Sequence, residues 1–193
     1  DYDKALDYYV RSLKISEEIG HKSGIGGSLR SIGLVYLDKG DYDTALDYLE
    51  RSLAIAEELG DKSGMGSRLN SISNVYFYKG DYDTALDYYE RSLKIAEELG
   101  DKRGIGNYLN NIGVMCYNKG DLDKALDSYE RSLAIAEEIG DKNGMGRSLG
   151  NIGNVYAVKG DYEKAEKYLE KSLSIQKEIG LRTGDLIETT TCL

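Results

Sequence analysis

Small and apolar residues return at every third or fourth position along nearly the whole chain. In the stretch DYDTALDYLERSLAIAEEL, Tyr42, Ala45, Leu46, Leu49, Ser52, Leu53, Ala56 and Leu59 gather on one face and the charges on the other. At 100° per residue, that spacing predicts an amphipathic helix. Near-copies begin at Asp1, Asp81, Asp121 and Asp161. A shorter helix precedes each later copy, running in the second instance from about Gly64 to Tyr78. In the first instance Ile25, Leu29, Ile32, Gly33, Val35 and Tyr36 cover a broad face that must pack. Gly27, Arg30, Ser31, Leu34, Leu37 and Asp38 cover the opposite, non-core face. Strand-like alternation and proline are both absent from the sequence. The expected class is all-α, built from antiparallel helix pairs stacked side by side.

Glycine punctuates this pattern in two phased series, Gly20, Gly60, Gly100, Gly140, Gly180 and Gly40, Gly80, Gly120, Gly160. Each marks a helix end. Asp41, Asp81, Asp121 and Asp161 follow the second series as N-caps of the longer helices. The shorter helices open on glycines, with Ser63 or Asn143 as the expected caps. Gly33, Gly113 and Gly153 lie within an apolar helical face, where glycine costs about 1 kcal/mol against alanine; close approach of a neighbouring helix is the expected compensation, and Ser73 takes that slot in the second unit. The chain thus divides into an unpaired second helix (1–20), four units (21–60, 61–100, 101–140, 141–180) and the start of a further unit (181–193). A period near 40 is the mark of a stacked array rather than a single-core globule. The whole of 1–193 is expected to form one solenoid. Because the chain opens on Asp1 in mid-pattern, it is expected to be a piece of a longer array, and the lack of a signal peptide carries no message.

The spacing of these residues resembles the tetratricopeptide repeat. Its pattern is met in the first unit by Leu29, Ile32-Gly33, Tyr36, Gly40, Tyr42, Ala45, Leu49 and Ser52. It recurs at Leu69, Ile72, Tyr76, Gly80, Tyr82 and Ala85, and at Leu149, Ile152-Gly153, Tyr156, Gly160, Tyr162 and Ala165. The third unit departs from it with Cys116 and Leu122, each in place of Tyr. Glu57 stands where the family carries proline, and the longer helix runs on to Leu59. This 40-residue variety is similar to the repeats of kinesin light chains, of Pins/LGN proteins and of bacterial signalling proteins. The resemblance implies a right-handed α-solenoid whose shorter helices line a concave groove for a peptide or a partner's tail. In the light-chain and Pins/LGN groups, asparagines on those helices hold the ligand backbone.

The matching helices here contain Asn70, Asn74, Asn107, Asn110, Asn111, Asn118, Asn151 and Asn154, all placed on the non-core face by the angular count. An Asn amide offers a donor and an acceptor, so it can pair with an extended backbone whatever the ligand's side chains. The alternative is a merely solvated polar face. Residues 41–80 and 81–120 share 27 identities in 40, with 20 in the first 22 positions. The longer helix is nearly copied and the shorter one is not, as expected of a surface diversified to read a ligand or of relaxed drift. Arg30, Leu34, Phe77, Tyr78, Tyr117 and Arg147 complete the candidate groove.

Charge sharpens the ligand class. The 193 residues carry a net −9, which argues against nucleic acid or anionic membrane as a partner of the whole surface. Residues 24–39, 64–79, 104–119 and 144–159 carry +1, +2, +1 and +2, leaving −15 for the rest. Lys39, Lys79, Lys119 and Lys159 are expected to complement helix C-termini. A weakly basic, polar groove points to a neutral-to-acidic extended segment with one or two apolar anchors.

Other signals resolve into parts of the repeat. Gly64 and Gly66 lack the third glycine and the strand of a dinucleotide loop. Asp41, Asp43 and Asp47 lack the glycine and glutamate of a calcium loop, and Glu57-Glu58 diverge by 100° on their helix. His21 stands where the other units have Asp. Cys116 is expected to be a buried small residue, and Cys192 aligns with Ile152. No cofactor, metal or catalytic role is expected. The leading function is a non-catalytic, cytoplasmic interaction scaffold. End-to-end self-association through uncapped terminal helices, or regulation of an enzyme elsewhere in the parent chain, are the alternatives.

Overall fold

The computed structural model describes residues 1–180, and the further unit expected at 181–193, Cys192 included, lies outside the described residues. Nine α-helices and no strands occur among the described residues: α1 (Tyr2–Glu18), α2 (Lys22–Asp38), α3 (Tyr42–Leu59), α4 (Lys62–Tyr78), α5 (Tyr82–Leu99), α6 (Lys102–Asn118), α7 (Leu122–Glu138), α8 (Lys142–Val158) and α9 (Tyr162–Glu178). They form two compact units, one of Asp1–Asp101 and one beginning at Lys102.

In the first unit α2 packs on α3 and α4 on α5, with α1 against α2 and α3 against α4. In the second α6 packs on α7 and α8 on α9, while α7 also meets α8. The α3–α4 interface holds Ala45, Leu49, Leu53, Leu69, Ile72 and Val75, all buried. Burying side chains of this size removes about 1.5–3 kcal/mol of apolar hydration cost each. Leu59 is the exception to the sequence pattern: it lies in the last turn of α3 and is exposed.

The expected helix ends are found, with one correction. Asp41, Asp81, Asp121 and Asp161 each accept from the backbone N–H three residues on. All nine phased glycines have positive φ, and at Gly60 (φ 64°) the cap N–H returns to Ala56 and Glu57 carbonyls. The shorter helices, however, are not capped by Ser63 or Asn143. Asp61 and Asp141 cap them by accepting from Gly64 N at 2.9 Å and Gly144 N at 3.1 Å, so these helices begin two residues earlier than the glycines suggest. His21 holds the same position in front of α2 and makes no side-chain cap bond.

Close approach does explain the mid-helix glycines. A Cβ on Gly33 would lie 2.8 Å from Leu49 Cγ, one on Gly153 2.8 Å from Leu169 Cγ, and one on Gly113 2.5 Å from Tyr129 Cε1. At the equivalent position Ser73 turns its hydroxyl onto the Ala85 carbonyl. Tyr36–Tyr48, Tyr76–Tyr88 and Tyr156–Tyr168 stack with centroids 5.6–5.8 Å apart. In the third repeat both members of this pair are small: Cys116 and Ser128, each buried.

Ion pairs tie the N-termini of all four shorter helices and the C-termini of α2, α4 and α8. At the N-termini, Lys22 pairs with Glu58, Lys62 with Glu98, Lys102 with Glu138 and Lys142 with Glu178. At the C-termini, Lys39, Lys79 and Lys159 reach back to Asp3, Asp43 and Asp123 on the preceding longer helix. These lysines therefore act by pairing across helices, beyond complementing a helix end.

Candidate functional site

In the first unit, α2 and α4 lie side by side and their polar residues meet directly. Arg30 Nε donates to Ser71 Oγ at 3.3 Å. Leu34, Asn70 and Phe77 are half-buried, and Phe77 packs edge-on against the exposed Tyr78 with centroids 5.2 Å apart. Asn74 is committed inward: its Oδ1 accepts from the Tyr89 hydroxyl of α5. Tyr89 is buried, and desolvation pushes its phenol up to about 12, opposed by a hydrogen bond with Ser73.

Arg68, which the sequence pattern did not single out, is a further polar group of this region. Its Nε donates to the buried Ser52 Oγ at 2.9 Å, and its Nη1 lies 4.0 Å from Asp61. Burial pulls the guanidinium below its ordinary value, Asp61 opposes this, and nearby Arg30 adds to the lowering. The one available signal was positional, since Arg68 fills the slot that Ser28 and Ser148 hold in other repeats.

In the second unit the same bridging recurs between α6 and α8. Arg147 Nη2 donates to Asn107 Oδ1 at 2.5 Å, and Asn151 Nδ2 donates to Asn110 Oδ1 at 3.0 Å. Asn110 is only 3% exposed, so it is not on the open face where the angular count put it. Each shorter helix is covered on a second side by its neighbour, a constraint that a single helical wheel does not contain. Asn111, Tyr117 and Asn154 are half-buried, and Asn118 is exposed with its Nδ2 on the Val114 carbonyl at 2.8 Å. Thus Arg30 is brought beside Ser71, Asn107 beside Arg147 and Asn110 beside Asn151, while Asn74 and Asn118 bond to α5 and to their own helix.

The groups that this face presents are hydrogen-bond donors and acceptors and charges. Among the described residues, no group of three His, Cys, Asp or Glu side chains could hold a metal ion. No helix among them is long and apolar enough to cross a membrane.

A tetratricopeptide repeat model matches residues 1–58, 24–98, 65–138 and 104–178. No curated protein sequence matches the chain. Among solved structures, BtubC (BKLC) from P. vanneervenii has a TM-score of 0.83 at 24% identity, over 94% of this chain and 76% of that one. Kinesin-light-chain-type TPR-like repeats from Podosopora anserina have a TM-score of 0.73 at 15% identity, over 94% and 90%. A Rap protein in complex with competence and sporulation factor has a TM-score of 0.79 at 18% identity, over 90% of this chain. The chain spans about half of that Rap protein, 48%.

Proposed function

We propose that this chain, which belongs to the tetratricopeptide repeat family, is a non-catalytic scaffold that binds an extended, neutral-to-acidic peptide along the open face of its shorter helices. The observation that carries this reading is the meeting of polar side chains between neighbouring shorter helices, Arg30 with Ser71 and Asn107 with Arg147. An array of donors and acceptors held by helix-to-helix bonds is preorganised, so a ligand backbone can pair with it at little ordering cost. Two Rap proteins of similar fold were solved with competence and sporulation factor and with the Phr* peptide, which supports a peptide as the ligand class. With the helix-end Lys39, Lys79, Lys119 and Lys159 set aside, residues 24–39, 64–79, 104–119 and 144–159 keep a net +2, which favours a neutral-to-acidic one.

A displayed random-peptide library selected on the folded chain tests the reading. Selected peptides should be rich in Asp and Glu and should lose at least tenfold in affinity to the triple variant Asn70→Ala, Asn111→Ala, Asn154→Ala, at about 1 kcal/mol per hydrogen bond. Unchanged affinity with an intact fold removes the asparagines from the mechanism, and a library that yields no binder removes the peptide.

Self-association has an observation of its own. Tyr2, Tyr8, Tyr9, Val10, Ile15 and Ile19 on and just after α1 are exposed, an apolar density unusual for a free surface. Light scattering over a wide concentration range decides it: a rising mass supports stacking through α1, and a constant monomer mass ends that reading.

A further inference from the structure

The second repeat departs from the others at three positions that meet in space. At one slot the shorter helices carry Gly33-Leu34, Ser73-Asn74, Gly113-Val114 and Gly153-Asn154, and the longer helices set Leu49, Tyr89, Tyr129 and Leu169 against them. Serine, asparagine and tyrosine coincide only in the second repeat. All three residues lie within the first unit.

Tyr129 shows the course that a ring takes past a glycine. It runs so close to Gly113 that a Cβ there would lie 2.5 Å from its Cε1 and 2.7 Å from its Cδ1. Ser73 has that Cβ. The Tyr89 ring, buried like that of Tyr129 at 2% exposed, therefore follows a different course through a closely packed interior. Ser73 is itself pinned, being fully buried with its hydroxyl donating to the Ala85 carbonyl. The Tyr89 hydroxyl ends on Asn74 and donates to Oδ1. In the third repeat Val114 stands in the place of Asn74 and offers a hydroxyl no side-chain acceptor.

The bond determines what Asn74 has left to offer. A free asparagine amide presents either its oxygen or its NH₂ to a partner. With Oδ1 tied to a buried phenol, the NH₂ remains for the outer side of a residue that is half-buried. Turning the amide over would take from that phenol the oxygen it donates to, which burial makes costly. Asn154 has Leu169 opposite, so no hydroxyl from that position sets its amide. Phe77 and Tyr78, three and four residues on from Asn74, share its side of α4, with their rings 5.2 Å apart. A donor beside such apolar surface is costly to cover without an acceptor.

We propose that Tyr89, steered by Ser73, is a positioning residue for peptide binding: it holds Asn74 with its NH₂ outward, so that the second repeat takes a backbone carbonyl oxygen of the peptide beside an apolar side chain resting on Phe77 and Tyr78. The source of the carbonyl rests on the peptide-binding reading, and the set of the amide does not.

One measurement therefore needs no peptide. In the isotopically labelled chain, the Asn74 side-chain NH₂ should be as rigid as the helix backbone by NMR order parameter, and should become mobile in Tyr89→Phe and in Ser73→Gly. Strong NOEs from its protons to the Tyr89 ring, or equal rigidity in parent and folded variants, overturn the proposal. The other measurement uses peptides selected on the parent chain. Tyr89→Phe and Ser73→Gly should each weaken them about threefold to tenfold, the worth of one hydrogen bond, and should cost nothing further in an Asn74→Ala background. Tyr129→Phe removes the same hydroxyl from the third repeat and should leave affinity unchanged. An equal loss in the Asn74→Ala background, or from Tyr129→Phe, assigns the effect to packing and overturns positioning while leaving the groove reading intact. A selection without any binder overturns the peptide as the source of the carbonyl, and the order parameters then decide the set of the amide by themselves. Tyr89→Phe alone carries both measurements should Ser73→Gly fail to fold.

Discussion

Gly113 and Tyr129 make the tightest fit in the third repeat, and the fit sets a sign for substitution. Alanine at a helical glycine ordinarily gains about 1 kcal/mol, but the Gly113 methyl would sit 2.5 Å from a buried ring carbon, and overpacking of that kind costs about 1–3 kcal/mol. Gly113→Ala is expected to lower the urea midpoint, whereas Gly27→Ala, with nothing within 4 Å of its Cβ, should raise it. Equal shifts would mean that the ring simply moves aside. Tyr89 offers a second residue-scale test. Its phenol is held up to about 12 against an ordinary 10.0, so the folded state keeps a proton that the unfolded chain releases. That stabilising difference is fully present below pH 10, and it is lost as pH rises towards 12. Absorbance titration of the phenols should therefore show Tyr89 ionising late, together with loss of helix. Tyr129, also raised by burial, should behave likewise.

At the scale of the helix, the first turn of α2 is the weak point. Asp61 and Asp141 cap their helices through the N–H of the third residue on, and His21 at the same position does not. His21→Asp should recover a cap worth about 1 kcal/mol, read as slower amide exchange at Gly24 and a higher midpoint. No change at Gly24 would show that this turn is set by packing instead. The caps also mark how far the elements were legible. Asp41 and its copies stand directly before unbroken amphipathic stretches, so their role follows from position. Asp61 and Asp141 precede Lys-Ser-Gly or Lys-Asn-Gly, where glycine's low helix propensity argued for a later start; the cap bond and tertiary packing override it. Asn110 was misplaced for a related reason. Its angle relative to α7 leaves it outside that interface, but α8 covers it, and the identity of a helix's second neighbour is not written in its own periodicity. The groove partners Arg30 and Ser71, or Asn107 and Arg147, are 40 or 41 positions apart, so the repeat length already set them near one another. Their bonds depend on rotamers that spacing does not determine.

Over the whole chain, charge is divided between surfaces with different tasks. Residues 24–39, 64–79, 104–119 and 144–159 hold +6 and the rest of the sequence −15, while the lysines at helix ends are largely paired with acids of adjacent helices. Exposed pairs of that kind contribute about 0–1 kcal/mol each and are screened by salt. An acidic peptide selected on the chain should therefore lose affinity steeply between low and high NaCl, and a neutral analogue should not. Parallel behaviour of the two would place recognition in hydrogen bonds alone.

During folding, near-copies compete for one another. Longer helices as alike as α3 and α5 present almost equivalent docking faces to any shorter helix, the circumstance in which repeat chains swap segments or misassemble. What the glycine and serine slots meet differs from repeat to repeat: Gly33 and Gly153 lie against Leu49 and Leu169, Gly113 lies against the Tyr129 ring, and Ser73 donates to the Ala85 carbonyl. A wrong partner therefore sets a ring where a leucine belongs, or the reverse, at the point of closest approach, which is where a mispaired intermediate fits worst.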